Sequence, residues 1–167
     1  MDLDPDCNYC NDLSLPDSRY VISTDLNELR KNSVSQNTFS LLHVNCRSIV
    51  KNFNNLLSLV SLQSPCIPII AVSELWTCED NESLYNIPGY NFVVRSRQGK
   101  LGGGVGLYIS DNFRYTLRDE LEAANTECVE SVFIELEPNN LIIGCIYRPP
   151  NSDVAFLLII WIPCYLH

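Results

Sequence analysis

The chain has no long hydrophobic run. Its longest unbroken apolar stretch, Val154 to Ile162, is nine residues, against about 20 for a helix that crosses a bilayer. No membrane helix and no membrane partner are expected. Basic residues are also scarce: 11 Lys and Arg face 20 Asp and Glu, a formal charge of −9. That is opposite in sign to the usual footprint of a nucleic-acid binder. Only two histidines are present, His43 and His167. The pair Cys7 and Cys10 has the spacing of half a zinc site, but no second close pair follows to complete four ligands. The acidic opening Met-Asp-Leu-Asp lacks the basic-then-apolar pattern of a secretory signal. The eight cysteines are therefore expected to be reduced and intracellular rather than a disulfide framework.

What is present is ordinary globular material. At 167 residues, 46% hydrophobic and 19% charged, with a mean hydropathy of +0.02, the chain has the length and composition of one packed domain. Its acidity is concentrated: residues 1–28 hold seven acids and one base, a net −6, leaving −3 for the rest. Residues 1–38 read as a solvated acidic arm. Residues 39–153 read as the folded part, and residues 154–167 as an apolar tail that fits neither.

The pattern from Phe39 to Cys46 is that of a buried strand. From Ile49 the apolar positions recur through Phe53, Leu56, Leu57 and Val60, the spacing of an amphipathic helix of three to four turns, stopped by Ser64 and Pro65. The continuous apolar run Ile67 to Ser73 predicts a strand covered on both faces. Strand, helix and strand make a βαβ unit, with Glu74 at the carboxyl end of its second strand, where ligands of open α/β sheets tend to bind. Period-two segments at 90–95, 105–109, 113–118, 129–136 and 141–147 predict five more strands, separated by turn formers such as Gly102-Gly-Gly104. The fold class is α/β: a mixed β-sheet with a flanking helix.

Four islands then occur in order: Leu42-His-Val-Asn45-Cys-Arg-Ser48, Ala71-Val-Ser-Glu74-Leu-Trp76, Gly102-Gly-Gly-Val-Gly-Leu-Tyr-Ile-Ser110 and Ile146-Tyr147-Arg-Pro-Pro-Asn151. Together they resemble the endonuclease/exonuclease/phosphatase superfamily, specifically the apurinic-site-endonuclease-like domain of non-LTR (LINE-type) retrotransposons. The resemblance covers about residues 39–152. It implies the first part of a four-layer α/β sandwich, and a Mg-dependent phosphodiesterase that nicks DNA for target-primed reverse transcription. It also implies DNA as partner, action in the nucleus and no small-molecule cofactor. Glu74 matches the metal-binding carboxylate, a hard oxygen ligand suited to Mg²⁺. Asn45 matches an amide that orients a phosphate oxygen or a neighbouring acid. Tyr147 matches a hydroxyl that donates to the phosphate as charge develops. Each has a plainer reading: Asn45 as a helix cap, Glu74 as a solvated loop acid, Tyr147 as a strand-end aromatic.

The chain also departs from that family. It contains neither the Gly-Asp-Phe-Asn segment that would hold the attacking water and phosphate, nor the Ser-Asp-His that would supply a general base. His43 and His167 match neither motif. The polypeptide is therefore expected to be inactive alone, with an incomplete sandwich whose first sheet exposes its inner face. The apolar string after Leu157 reads as divergence from a longer ancestral frame. Two other functions remain open: a non-enzymatic interaction remnant, and a phosphatase of the same superfamily.

Overall fold

The computed structural model describes residues 39–62, 67–77, 79–96, 102–122, 129–137 and 140–149. The acidic arm with Cys7 and Cys10, the helix stop at Ser64 and Pro65, and the apolar tail from Val154 lie outside the described residues. The molecule is a mixed α/β fold with two sheets and one α-helix among those residues.

The βαβ unit forms as its spacing predicts, as β1 (Leu41–Asn45), α1 (Ile49–Ser61) and β2 (Ile69–Ser73), but β1 is not the buried strand its apolar pattern suggests: it forms one edge of the sheet, and its residues alternate between exposed and half-buried. A crossover helix lets β1 and β2 run parallel, and their register pairs Leu41 with Ile69 and Asn45 with Ser73. The two strands therefore end level. Next come a 3-10 helix (Glu79–Tyr85), β3 (Tyr90–Arg95) and β4 (Val105–Ser110). β4 inserts between β2 and β3, giving the order β1-β2-β4-β3. It is antiparallel to β2, with Ser73 opposite Val105. That register brings Gly104 alongside the residues that follow β2.

Pleating sorts this central sheet into two faces. On one face Ile70, Val72 and Tyr108 meet Ile49 and Leu56 of α1 and Tyr85 of the 3-10 helix. All five residues of β2 are buried, as the unbroken apolar run predicts for a strand covered on both sides. The Tyr108 ring stacks on Phe92 at 4.0 Å between centroids, and its hydroxyl donates to the Tyr85 carbonyl at 2.6 Å. Gly106 is obligatory beneath this stack, because a Cβ there would sit 2.7 Å from Cε2 of Phe92. Burial raises the Tyr108 phenol well above its usual range.

The other face corrects one expectation. Rather than standing exposed, Ile69, Ala71, Leu107 and Ile109 pack against Val132, Ile134, Ile143 and Cys145 of a second sheet. That sheet has the order β5-β6-β7, formed by Tyr115–Leu117, Glu130–Leu136 and Leu141–Tyr147. Each β6 residue from 130 to 136 has a partner on β7, and these two strands bring Val132, Ile134, Leu136, Ile143 and Cys145 to the core between the sheets. Cys46 and Cys145 are buried free thiols. Desolvation pushes both up to about 11, in keeping with small buried hydrophobes rather than nucleophiles.

No described helix is long and apolar enough to cross a membrane.

Candidate functional site

The carboxyl ends of β1 and β2 carry a concentration of left-handed backbone. Of the five non-glycine residues with positive φ among the described residues, four lie here: Arg47 (42°), Ser48 (84°), Glu74 (55°) and Trp76 (51°). The fifth, Asn140, is a turn asparagine, a residue type that tolerates this region. Each of the others costs of order 1–3 kcal/mol and persists only where surrounding bonds impose it. Those bonds are visible. The amides of Ser48 and Ile49 donate to the carbonyls of Glu74 and Leu75 at 2.9 and 2.8 Å. In turn the amides of Leu75 and Trp76 donate to the carbonyls of Gly104 and Gly103 at 3.3 and 2.9 Å. The loop carrying Glu74 is thus stitched to the α1 entrance on one side and to the glycine turn on the other.

This arrangement also disposes of the plain reading of Asn45. It does not cap α1: the N-cap residue is Ser48, with no side-chain cap bond, and the first helical amide, that of Ile49, finds the Leu75 carbonyl. Instead, the Asn45 amide nitrogen donates to Oε1 of Glu74 at 2.8 Å, while its Oδ1 accepts from the Arg47 amide at 3.1 Å. The level ends of β1 and β2 make this contact across the strand pair. Asn45 therefore orients one oxygen of Glu74 and leaves the half-buried carboxylate accessible at the rim.

Tyr147, the last residue of β7, is the register partner of Glu130 at the start of β6, and it packs partly against the inter-sheet core. Glu130 in turn accepts from the Gly104 amide. Tyr147 therefore stands at the same end of the sandwich as Asn45 and Glu74, connected to them through Glu130 and the glycine turn. His43 lies back inside β1, its Nε2 3.2 Å from the Ser73 hydroxyl. A shallow cleft of about 310 Å³ flanks Asn45 and Arg47 on the α1 side, lined also by Asn52 and Asn55, and does not include Glu74.

Glu130 is the residue that reading the motifs passed over. It is 5% exposed. The signal was there in the alternation of Glu130 with Val132, Ile134 and Leu136, which puts this acid on the core face of its strand.

No group of three or more His, Cys, Asp or Glu that could hold a metal occurs among the described residues. Mg²⁺ does not need one: it keeps several waters and is bound through one or two carboxylates plus substrate phosphate oxygens. Glu74, held by a neutral amide at an open rim, fits that donor requirement. Two comparisons bear on descent: no family model matches the chain, and no curated protein matches it.

Proposed function

We propose that residues 39–149 form the metal- and phosphate-orienting part of a Mg-dependent phosphodiester site of the endonuclease/exonuclease/phosphatase type, acting on DNA as the LINE-type endonucleases do. The observation that carries this reading is the Asn45–Glu74 hydrogen bond on backbone forced into the left-handed region. A solvated loop acid has no reason to be held so. The two packed sheets with α1 on the outer face agree with the first three layers of the four-layer sandwich of that superfamily.

In this reading Glu74 would hold the cation, which when bound would supply Lewis-acid polarisation of a phosphoryl oxygen. Asn45 fixes the rotamer of Glu74 and presents no competing negative charge. The Tyr147 hydroxyl donates to a non-bridging phosphate oxygen as negative charge accumulates there. The acidic sum of the sequence does not oppose DNA, because residues 1–28 account for −6 of the net −9 and a bound cation would offset the carboxylate at the site.

Water activation is the part these residues do not provide, since the 167 residues contain neither Gly-Asp-Phe-Asn nor Ser-Asp-His. Binding without turnover is the expected behaviour of the polypeptide. In an NMR titration with Mg²⁺, wild type should show saturable shifts of the Glu74 and Trp76 amides, with the weak affinity of so sparse a ligand set. Glu74→Gln should abolish them, and supercoiled plasmid should stay intact in the same buffer. Shifts that survive Glu74→Gln would contradict the metal assignment. Plasmid relaxation lost in Glu74→Gln would contradict the absence of turnover.

A further inference from the structure

The carboxylate of Glu130 is the least expected group in the fold. It is a charged side chain, 5% exposed, on the core face of a strand whose next three inward residues are Val132, Ile134 and Leu136. Burying an acid among aliphatic residues is costly unless hydrogen bonds satisfy it. One of its bonds is to backbone: Oε2 accepts from the Gly104 amide. The carboxylate also lies so close to Gly103 that any Cβ there would overlap both of its oxygens. Gly103 (φ 76°) is therefore a glycine for two reasons, the left-handed turn and the space the carboxylate occupies, whereas at Gly104 (φ 86°) the reasons are the left-handed turn and the closeness of Leu75.

The consequence lies one bond further on. The carbonyls of these two glycines accept the amides of Trp76 and Leu75, the residues that fix the backbone of Glu74 from its carboxyl side. Leu75 is fully buried, and its Cβ would be 3.2 Å from a Cβ on Gly104. The path from Glu130 to Glu74 is thus a short series of backbone hydrogen bonds with no mobile side chain between.

We propose that Glu130 is a positioning residue for Glu74. Its carboxylate clamps the Gly103–Gly104 turn, the turn clamps Leu75–Trp76, and these hold Glu74 in the left-handed conformation that aims its carboxylate at Asn45. The proposal rests on the reading of Glu74 as the cation ligand, and it extends that site to the second sheet. A buried acid in the second sheet makes the geometry of a ligand on the first sheet depend on how the two sheets pack.

The test uses the full chain and two readouts. Glu130→Gln keeps shape and an acceptor oxygen but removes the charge that strengthens the bond to Gly104. Glu130→Ala removes the acceptor. In amide hydrogen exchange, both variants should exchange Gly104, Leu75 and Trp76 faster, by at least tenfold for Glu130→Ala. Ser110, which donates to the Pro68 carbonyl at the far end of β4, should be unchanged. In the Mg²⁺ titration, affinity should fall at least tenfold in Glu130→Ala and less in Glu130→Gln. If Glu130→Ala does not fold, the exchange pattern of Glu130→Gln decides alone. Exchange that rises evenly along β4, or not at all, overturns the proposal, as does unchanged Mg²⁺ affinity in a folded Glu130→Ala. The two readings fail separately. Selective loosening in a protein that binds no Mg²⁺ refutes the cation site and leaves the clamp standing. Glu74-dependent binding that is indifferent to Glu130 does the reverse.

Discussion

Leu107→Ala is expected to destabilise the domain by about 3 kcal/mol, within the roughly 2–5 kcal/mol range of buried leucine truncations. Leu107 lies in β4, the strand between β2 and β3, opposite Ala71 on one side and Val93 on the other. It is fully buried in the core between the two sheets. β-sheet backbone on both sides leaves little room for collapse, so the cavity term should persist. A domain of this size has only about 5–15 kcal/mol of stability in all, so the variant should unfold at a clearly lower urea concentration with an unchanged slope. Leu84→Ala, at a side chain 66% exposed, should change stability by less than about 0.5 kcal/mol. Equal effects at the two positions would mean that the sheets do not share a core.

Glu74→Gly carries the second large effect, and its sign is unusual. A non-glycine residue in the left-handed region costs about 1–2 kcal/mol, and glycine returns part of that through the greater freedom of the unfolded chain. The Asn45 bond that is lost is exposed and contributes little to stability. Glu74→Gly should therefore be more stable than Glu74→Gln by about 1 kcal/mol in urea denaturation, although both lose Mg²⁺ binding. An acid retained where glycine is more stable marks a position at which function has been favoured over stability. If glycine at 74 is the less stable of the two, the strain argument fails.

The same residues show how far the sequence could be read. α1 was legible because Ile49, Phe53, Leu56 and Val60 repeat at helical spacing, and it spans Ile49–Ser61. β2 was legible as a run without polar alternation, and β7 matches the segment 141–147. Boundaries moved inward to where strand pairing begins: the first strand starts at Leu41, the partner of Ile69, rather than at Phe39, which packs edge-on against Phe113. The segment 113–118 narrows to Tyr115–Leu117. Pairing was not legible. Nothing in the local pattern of 105–110 says that this strand lies between β2 and β3, or that β5 to β7 close over the inner face, because such contacts are fixed by global packing rather than by period. That is why the first sheet was expected to be exposed and is not.

Site residues divide the same way. Asn45 and Glu74 were found as the ends of two apolar runs, and the parallel register brings them into contact. Tyr147 was found through its Tyr-Arg-Pro-Pro context and stands at the same end of the sandwich. Glu130 was passed over because an acid in a strand reads as solvent-facing until the alternation around it is followed into the core. The left-handed angles at Arg47, Ser48, Glu74 and Trp76 have no sequence signature, since none of these is the glycine or asparagine that usually marks such a conformation.

The most direct test of the site is to locate the cation. Crystals of the wild-type chain grown or soaked with Mn²⁺ in place of Mg²⁺, with diffraction recorded to give Mn anomalous differences, should show one peak at the carboxyl ends of β1 and β2. The ion should lie about 2.0–2.2 Å from a Glu74 oxygen, and the peak should be missing in Glu74→Gln crystals treated identically. An ordered Mn²⁺ elsewhere with none at Glu74, or a peak at that rim that survives Glu74→Gln, would contradict the account.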